Sequence, residues 1–333
     1  MKKLQNLRSL ILVFIGTSIM SVAPIASAAT ASISSGDGIK ISPVRTDISV
    51  DPGTTQTVSI VVQNVTSLST TYQAIINDFV VKNGNETGQP DLILDPTQYA
   101  PSHSLKRFVA PISDVTVGPN QQTTVKVNIN VPKTATGGGY YGAVRFAPTG
   151  AATGKNVTLS ASVGTLILVK VPGNIKEQLA INSFDVRTSA SADTGSSFFT
   201  GNKNLNAVVR FQNTGDLQEQ PFGKILLKKG NTTLQTVEIN NTDPRGNVLP
   251  GTIRRFSVPL NKVGSFGKYT IQGNFGYGSN GQLLSASSTF YVVPVPVIIT
   301  SIVILLVIIA LIVGLPKLIK SYNNKVLRRA GRR

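Results

Sequence analysis

The single histidine of the 333-residue chain, His103, is the first residue to consider for catalysis. A Ser-His-Asp triad or a histidine-based zinc site would have to include it. It lies in the segment Pro-Ser-His-Ser, and no second type of metal ligand clusters near it. The chain has no cysteine, which removes thiolate metal sites and thiol catalysis. We therefore predict that His103 is a solvated loop residue and that the protein has no catalytic residue and no metal site.

Asp91 and Asp95 are the carboxylates whose spacing could carry chemistry. They are four residues apart, so on a strand they would share a face and could bind a cation or flank a glycosidic bond. Each also stands beside a proline, where aspartate commonly forms turns, and this interpretation is favoured. No glycine-rich phosphate loop follows a strand and opens a helix. We predict a non-enzymatic protein without a cofactor, and a wall-modifying enzyme that uses the two aspartates remains an alternative.

A glycine-rich stretch at 137–142, GGGYYG, contains the candidate binding residues Tyr140 and Tyr141. Flanking glycines allow close backbone approach, and tyrosine rings stack well on sugars and partner surfaces. On a strand the two rings point to opposite faces, so one of them is expected in a core. A structural role for the pair is the favoured alternative to ligand binding.

The elements that would position these residues are strands. Val58, Ile60 and Val62 alternate with polar residues, and the same period recurs at 125–131 and at 207–211. Turns rich in glycine, asparagine and proline separate the runs. We predict an all-β fold of two tandem immunoglobulin-like β-sandwich domains, at 39–172 and 174–293, followed by one C-terminal transmembrane helix.

The two predicted domains look like one plan used twice. VSIVVQNVT at 58–66 matches AVVRFQNTG at 207–215, and VGPN at 117–120 matches VLPG at 248–251. Tyr141 and Tyr269 then follow at similar spacings. From the Gln-Asn pair to the proline the gap is 56 residues in the first half and 38 in the second. The extra residues are expected in the irregular stretch 89–110, where a function could be added to the common scaffold.

The ends of the chain predict a membrane topology. Lys2, Lys3 and Arg8 precede a short apolar run and Ala-Ser-Ala, typical of a signal peptide at 1–28. Residues 297–315, VIITSIVILLVIIALIVGL, are long and apolar enough to span a bilayer. The tail at 316–333 holds seven basic and no acidic residues, so it is expected to be cytoplasmic. We predict a single-pass protein of the cell membrane with its N-terminal ectodomain outside.

The net charge of +17 belongs mostly to this topology. Without the signal peptide and the tail, the ectodomain keeps a net charge of +7, with its basic residues scattered. A nucleic-acid partner is therefore not indicated.

Several short motifs resemble the WxL-interacting protein family of Gram-positive cell surfaces. The motifs run through nearly the whole chain: ISP at 41–43, QN at 63–64, VP at 131–132, GYYGAV at 139–144, FQNTG at 211–215, PFGKI at 221–225 and GKY at 267–269. The resemblance implies that the first domain binds peptidoglycan and that the second engages a surface protein partner, possibly a WxL-domain protein. The chain itself has no tryptophan, so it would be the anchor in such a pair. A structural or chaperone-like subunit of a membrane export or surface-assembly complex is the alternative function.

Overall fold

The computed structural model describes residues 38–82, 84–149, 162–191 and 193–330. The predicted signal peptide at 1–28 lies outside this part of the chain. The first group of strands comprises β1 (Ile39–Ser42), β2 (Arg45–Ser49), β3 (Thr55–Asn64), β4 (Thr70–Val80), β5 (Asp91–Leu92), β6 (Val115–Val117), β7 (Gln122–Asn130), β8 (Gly138–Pro148) and β9 (Val163–Val171). The second comprises β10 (Leu179–Arg187), β11 (Phe198–Phe199), β12 (Asn206–Asn213), β13 (Phe222–Lys229), β14 (Thr232–Ile239), β15 (Ile253–Pro259), β16 (Gly267–Tyr277) and β17 (Gln282–Val292).

The first sandwich packs a sheet of order β1-β3-β7 against a sheet of order β2-β9-β8-β4-β5, with β6 also paired to β4. Neighbouring strands are antiparallel apart from β2, which runs parallel to β9. The period-2 pattern explains the core: Val58, Ile60 and Val62 on β3 are buried, as are Val127 and Ile129 on β7. The alternating polar residues on the same strands face outward.

The second sandwich repeats this plan with sheets of order β10-β12-β15 and β11-β17-β16-β13-β14. Its core is more aromatic. The rings of Phe211 and Phe275 meet edge to face with centroids 5.1 Å apart, and Tyr269 stacks on Phe290 at 5.5 Å. Such geometry lets large rings fill a sandwich interior without a disulfide. The prediction of two immunoglobulin-like sandwiches is confirmed.

The two sandwiches are in contact through side-chain and backbone groups. The Tyr141 hydroxyl donates to Gln218 Oε1 at 2.9 Å, and Gly139 N donates to the Asp216 carbonyl at 2.8 Å. Leu249 of the second sandwich packs against a small apolar cluster of the first. This joint positions the GGGYYG stretch against the second domain.

The helix α1 (Val295–Ala330) differs from its prediction at both ends. The Val-Pro-Val-Pro sequence at 293–296 is of a type that favours an extended linker, but the helix begins within it. Proline fits the first helical turn because its missing N–H has no partner there anyway. The helix also continues past Leu315 through Pro316. Residues Val295–Asn324 are long and apolar enough to cross a membrane, and none of their most apolar window is buried in protein.

Candidate functional site

Tyr140 and Tyr141 lie side by side on β8, and neither ring stands free. Tyr141 is 3% exposed, and its ring lies against Phe79 and His103. Burial raises the pKa of its hydroxyl far above the usual value, so it remains a neutral donor to Gln218. The half-buried Tyr140 packs on Phe108 with centroids 4.6 Å apart, and its hydroxyl donates to the Thr136 carbonyl. A ligand-binding role for the two tyrosines stays a prediction, while their observed contacts are structural.

The two tyrosines hold an insertion, which we define as residues 93–110, on the first sandwich. Ser104 forms a parallel bridge with Tyr141, and Tyr141 N donates to the His103 carbonyl at 2.8 Å. At the other end of the insertion, Ala110 N and the Phe108 carbonyl pair with β7. The irregular segment predicted at 89–110 is therefore anchored to both sheets.

A buried carboxylate fixes the middle of the insertion. Asp78 on β4 has no exposed surface and accepts three hydrogen bonds. They come from Ala100 N at 2.9 Å, Ser104 Oγ at 2.6 Å and Lys106 N at 2.9 Å. These hydrogen bonds satisfy backbone N–H groups that strand pairing would satisfy elsewhere. A segment without regular structure can therefore be held in one conformation.

His103, within the insertion, is half-buried and not the solvated loop residue that its sequence context predicted. Its Nδ1–H donates to the Gly139 carbonyl oxygen at 2.6 Å, and its ring lies near both tyrosines of β8. Its backbone has φ of +59°, a conformation that a tight turn requires. The prediction failed because Pro101 and Ser102 are exposed, while the turn points the His103 ring and Ser104 inward. This side chain positions the insertion.

The two aspartates have local structural partners. Asp91 accepts from Lys82 N at 3.2 Å and faces its ammonium at 3.5 Å. Asp95 accepts from Thr97 Oγ1 at 2.6 Å and Thr97 N at 2.8 Å, a turn of the kind predicted. These hydrogen bonds, from Lys82 N in the first case and Thr97 Oγ1 in the second, lower the pKa of both carboxyls. Neither carboxyl therefore has the raised pKa that a general acid in glycoside hydrolysis needs.

In the described part of the chain, no group of three or more His, Asp or Glu side chains could hold a metal ion. The outer surface of the insertion instead presents an aromatic and cationic group, here named the Tyr99 cluster: Tyr99, Lys106 and Arg107. The Tyr99 side chain is 46% exposed. The Lys106 ammonium lies 4.8 Å and the Arg107 guanidinium 4.6 Å from its ring centroid.

The Tyr99 cluster is rigid at its base. Lys106 Nζ donates to the Pro96 carbonyl at 2.5 Å and to the Gln98 carbonyl at 3.0 Å. An exposed ring can stack on a sugar, and the two cations can meet carboxylates or phosphates. The sequence interpretation placed candidate binding at the tyrosines of β8 and missed Tyr99. The signal that could have found it was a tyrosine followed within eight residues by Lys-Arg, inside the extra segment.

Residues 46–148 match a family model described as WxL Interacting Protein, peptidoglycan binding domain. The first sandwich is thus similar, over these residues, to the peptidoglycan-binding domain of WxL-interacting proteins. The matched segment runs from β2 to the end of β8 and contains the insertion, the Tyr99 cluster and the GGGYYG stretch. The resemblance drawn from short motifs is thereby confirmed, and this surface lies inside a WxL-interacting-protein domain.

Solved structures with similarity to this chain include bacterial chaperones. The class 5 fimbriae chaperone CfaA is 13% identical, with 77% of this chain and 100% of that chain covered and a TM-score of 0.38. The Escherichia coli chaperone DraB is 11% identical over 76% and 96%, with a TM-score of 0.34. The Pseudomonas aeruginosa CupB2 chaperone is 12% identical over 74% and 97%, with a TM-score of 0.33. No curated protein matches the sequence.

Proposed function

We propose that this protein is a membrane-anchored scaffold of the cell surface that binds peptidoglycan through the Tyr99 cluster of its first sandwich. The match of residues 46–148 to a peptidoglycan-binding domain carries the proposal. The insertion is the part of that domain that the second sandwich lacks. It presents an exposed ring next to two cations, a combination that suits a polymer of sugars and carboxylate-bearing peptides.

The glycan half of the proposal is tested by retention of the full chain, in a non-ionic detergent, on purified peptidoglycan. Tyr99→Ser removes the stacking ring and is expected to cost about 1 kcal/mol, or about fivefold in affinity. Tyr291→Ser is the matched control, because Tyr291 is 42% exposed on β17 of the second sandwich. Equal retention of the Tyr99 variant and the control would contradict the assignment to this cluster.

The second sandwich is proposed to hold a surface protein partner, possibly a WxL-domain protein. Among the described strands, β14 pairs only with β13, so its other edge is open to strand pairing. The helix α1 is proposed as the membrane anchor, with the basic tail in the cytoplasm. Its basic residues Lys317 and Lys320 follow the apolar run, as on the inner side of a membrane.

Partner and topology are tested together with an amine-reactive cross-linker that cannot cross membranes. On intact cells we expect Lys126, which faces outward on β7, to react and a second surface protein to be linked to the chain. Lys320 should react only after the cells are permeabilised. Modification of Lys320 in intact cells would refute the topology, and a chain without any linked protein would refute the partner.

A further inference from the structure

A cavity of about 270 Å³ lies between the two sandwiches, and the proposed glycan surface does not use it. Water occupies about 30 Å³ per molecule in the liquid, so the cavity has room for a small organic molecule. Its walls come from both sandwiches and combine charged, amide and aliphatic side chains: Arg45, Leu166 and Leu168 from the first, and Asn247, Leu249 and Arg254 from the second.

Arg254 brings a positive charge to this cavity without a carboxylate to balance it in the described part of the chain. Its Nη1–H donates to the Asn247 carbonyl at 2.7 Å. Its Nε is fully buried and has no acceptor among the described residues. Burial, and then the positive charge of Arg45, lower the pKa of the Arg254 guanidinium. The charge is therefore held in an unfavourable place by the surrounding structure.

Three other partly buried arginines contrast with Arg254. Each lies against a carboxylate: Arg45 with Asp47 at 2.7 Å, Arg187 with Asp185 at 2.6 Å, and Arg210 with Glu86. Arg45 also donates to Asn247 Oδ1 at 3.2 Å and so brings a second cation to the cavity wall. A buried cation without an anion costs free energy, which a bound anion would recover.

Two glycines leave room for the guanidinium of Arg254. A Cβ built on Gly88 would lie 2.3 Å from Arg254 Cζ, and one on Gly246 would lie 2.7 Å from Nη2. Only bare backbone can approach the group so closely. Among the lining residues, Leu168 and Leu249 belong to one apolar cluster with Phe79. The cavity therefore has a fixed cationic side and an aliphatic side.

We propose that this cavity binds a small organic carboxylate, with its carboxylate against Arg254 and its aliphatic part on the leucines. The planar guanidinium matches a carboxylate in shape, and the apolar side favours a ligand with a hydrocarbon stem over a bare inorganic anion. Because both sandwiches line the cavity, such a ligand would also strengthen the joint between them.

The test is calorimetric titration of the full chain, in a non-ionic detergent, with butyrate at constant ionic strength. We expect saturable binding that Arg254→Gln weakens at least tenfold. Lys224→Gln, which removes a charge from an exposed ion pair on β13, should change the affinity less than twofold. No saturable heat with butyrate, or equal binding by the Arg254 variant, would overturn the proposal. Tighter binding of inorganic phosphate than of butyrate would overturn the assignment to a carboxylate.

A second variant avoids the risk that Arg254→Gln fails to fold. Asn247→Asp places a carboxylate beside both arginines, where the ligand is proposed to bind. We expect this variant to melt at a higher temperature than the unchanged protein and to bind butyrate at least tenfold more weakly. A lower melting temperature with unchanged butyrate binding would contradict an unbalanced cationic site.

Discussion

In each sandwich, the equivalent strand ends in a buried asparagine. Asn64, at the end of β3, donates to the carbonyls of Leu68 and Val117 and accepts from Thr66 N. Asn213, at the end of β12, donates to the carbonyls of Leu217 and Val248 and accepts from Gly215 N. Neither asparagine has any exposed surface. One side chain thus closes one loop and ties it to the neighbouring sheet in each domain.

The loops that these asparagines close have different surroundings. Leu68 in the first sandwich is 72% exposed, while its counterpart Leu217 is 8% exposed. The second loop supplies Asp216 and Gln218 to the contact with the first sandwich. The same local motif is therefore a free turn in one domain and part of the joint in the other. The motif defines the loop conformation, and the neighbouring domain decides what the loop does.

The sheet edges differ more strongly. In the second sandwich β13 is flanked by β14, an eight-residue strand. In the first, β4 is flanked by the two-residue β5 and then by the insertion. Hydrogen bonds to the Asp78 carboxylate, and not strand pairing, hold the insertion against β4. Function is proposed where the two copies differ, because a repeated scaffold leaves its edges and loops free to change.

The largest expected effect comes from removing the shared asparagines. Asn213→Ala leaves three buried backbone groups without a partner, at a cost of about 3 kcal/mol. Asn64→Ala is expected to cost less, because Leu68 is exposed and its carbonyl keeps the Thr66 hydroxyl as a donor. Urea unfolding of the full chain, followed by hydrogen exchange of peptides from β3 and β12, measures it. Each variant should lose protection first in its own sandwich. If one substitution were neutral, the equivalence of the two domains would be broken.

A smaller effect is expected for Asp78, which has no counterpart in the second sandwich. Asp78→Asn replaces one carboxylate oxygen by an NH2 group, which then faces a hydrogen-bond donor. We expect this to lower the free energy of unfolding by about 2 kcal/mol. Hydrogen exchange should show loss of protection in the insertion, with the pairing of β4 and β8 retained, and retention on peptidoglycan should fall. Asp114→Asn is the control, since Asp114 is exposed in the same connection. Unchanged retention of the Asp78 variant would separate the insertion from glycan binding.

An effect of similar size depends on pH and concerns the loop of the second sandwich. Burial, and then the negative charge of Glu177, raise the pKa of Glu219 to about 7, against the opposing Gly278 N–H and Lys170. The folded protein thus holds this proton more tightly than the unfolded chain. The protonated Glu219 carboxyl therefore contributes to the free energy of unfolding. This contribution is fully present below the ordinary glutamate pKa and is lost as the pH rises through about 7.

The measurement is the unfolding free energy between pH 5 and pH 8 for the full chain and for Glu219→Gln. The loss with rising pH should be larger in the unchanged protein, by on the order of 2 kcal/mol. The exposed carboxylate of Glu238 serves as the control through Glu238→Gln, which should leave the pH dependence unchanged. Parallel pH curves for Glu219→Gln and the unchanged protein would contradict a buried titrating carboxyl.

The repeat was readable in the sequence, but its register was not. The Gln-Asn pairs and the Val-x-Pro turns occupy equivalent places in both sandwiches, as predicted. Tyr269, however, follows Gly267 by two residues, and the residue that follows the matching Gly138 by two is Tyr140, not Tyr141. Their hydroxyls make similar local bonds, to the carbonyls of Phe266 and Thr136. Spacing along the chain could not distinguish two adjacent tyrosines, whereas strand pairing does.

The sequence by itself determined the local features: the alternating strands, the turns, the asparagine motif, the apolar span and the family of the first sandwich. Each depends on residues close together in the chain, where period, propensity and length are sufficient. The tertiary structure alone decided which strand edge the insertion covers, that His103 faces inward, that Tyr99 faces outward, and that Arg254 meets Arg45 across the joint. Those outcomes depend on pairs of residues distant in sequence, whose contact is set by how the sheets pack.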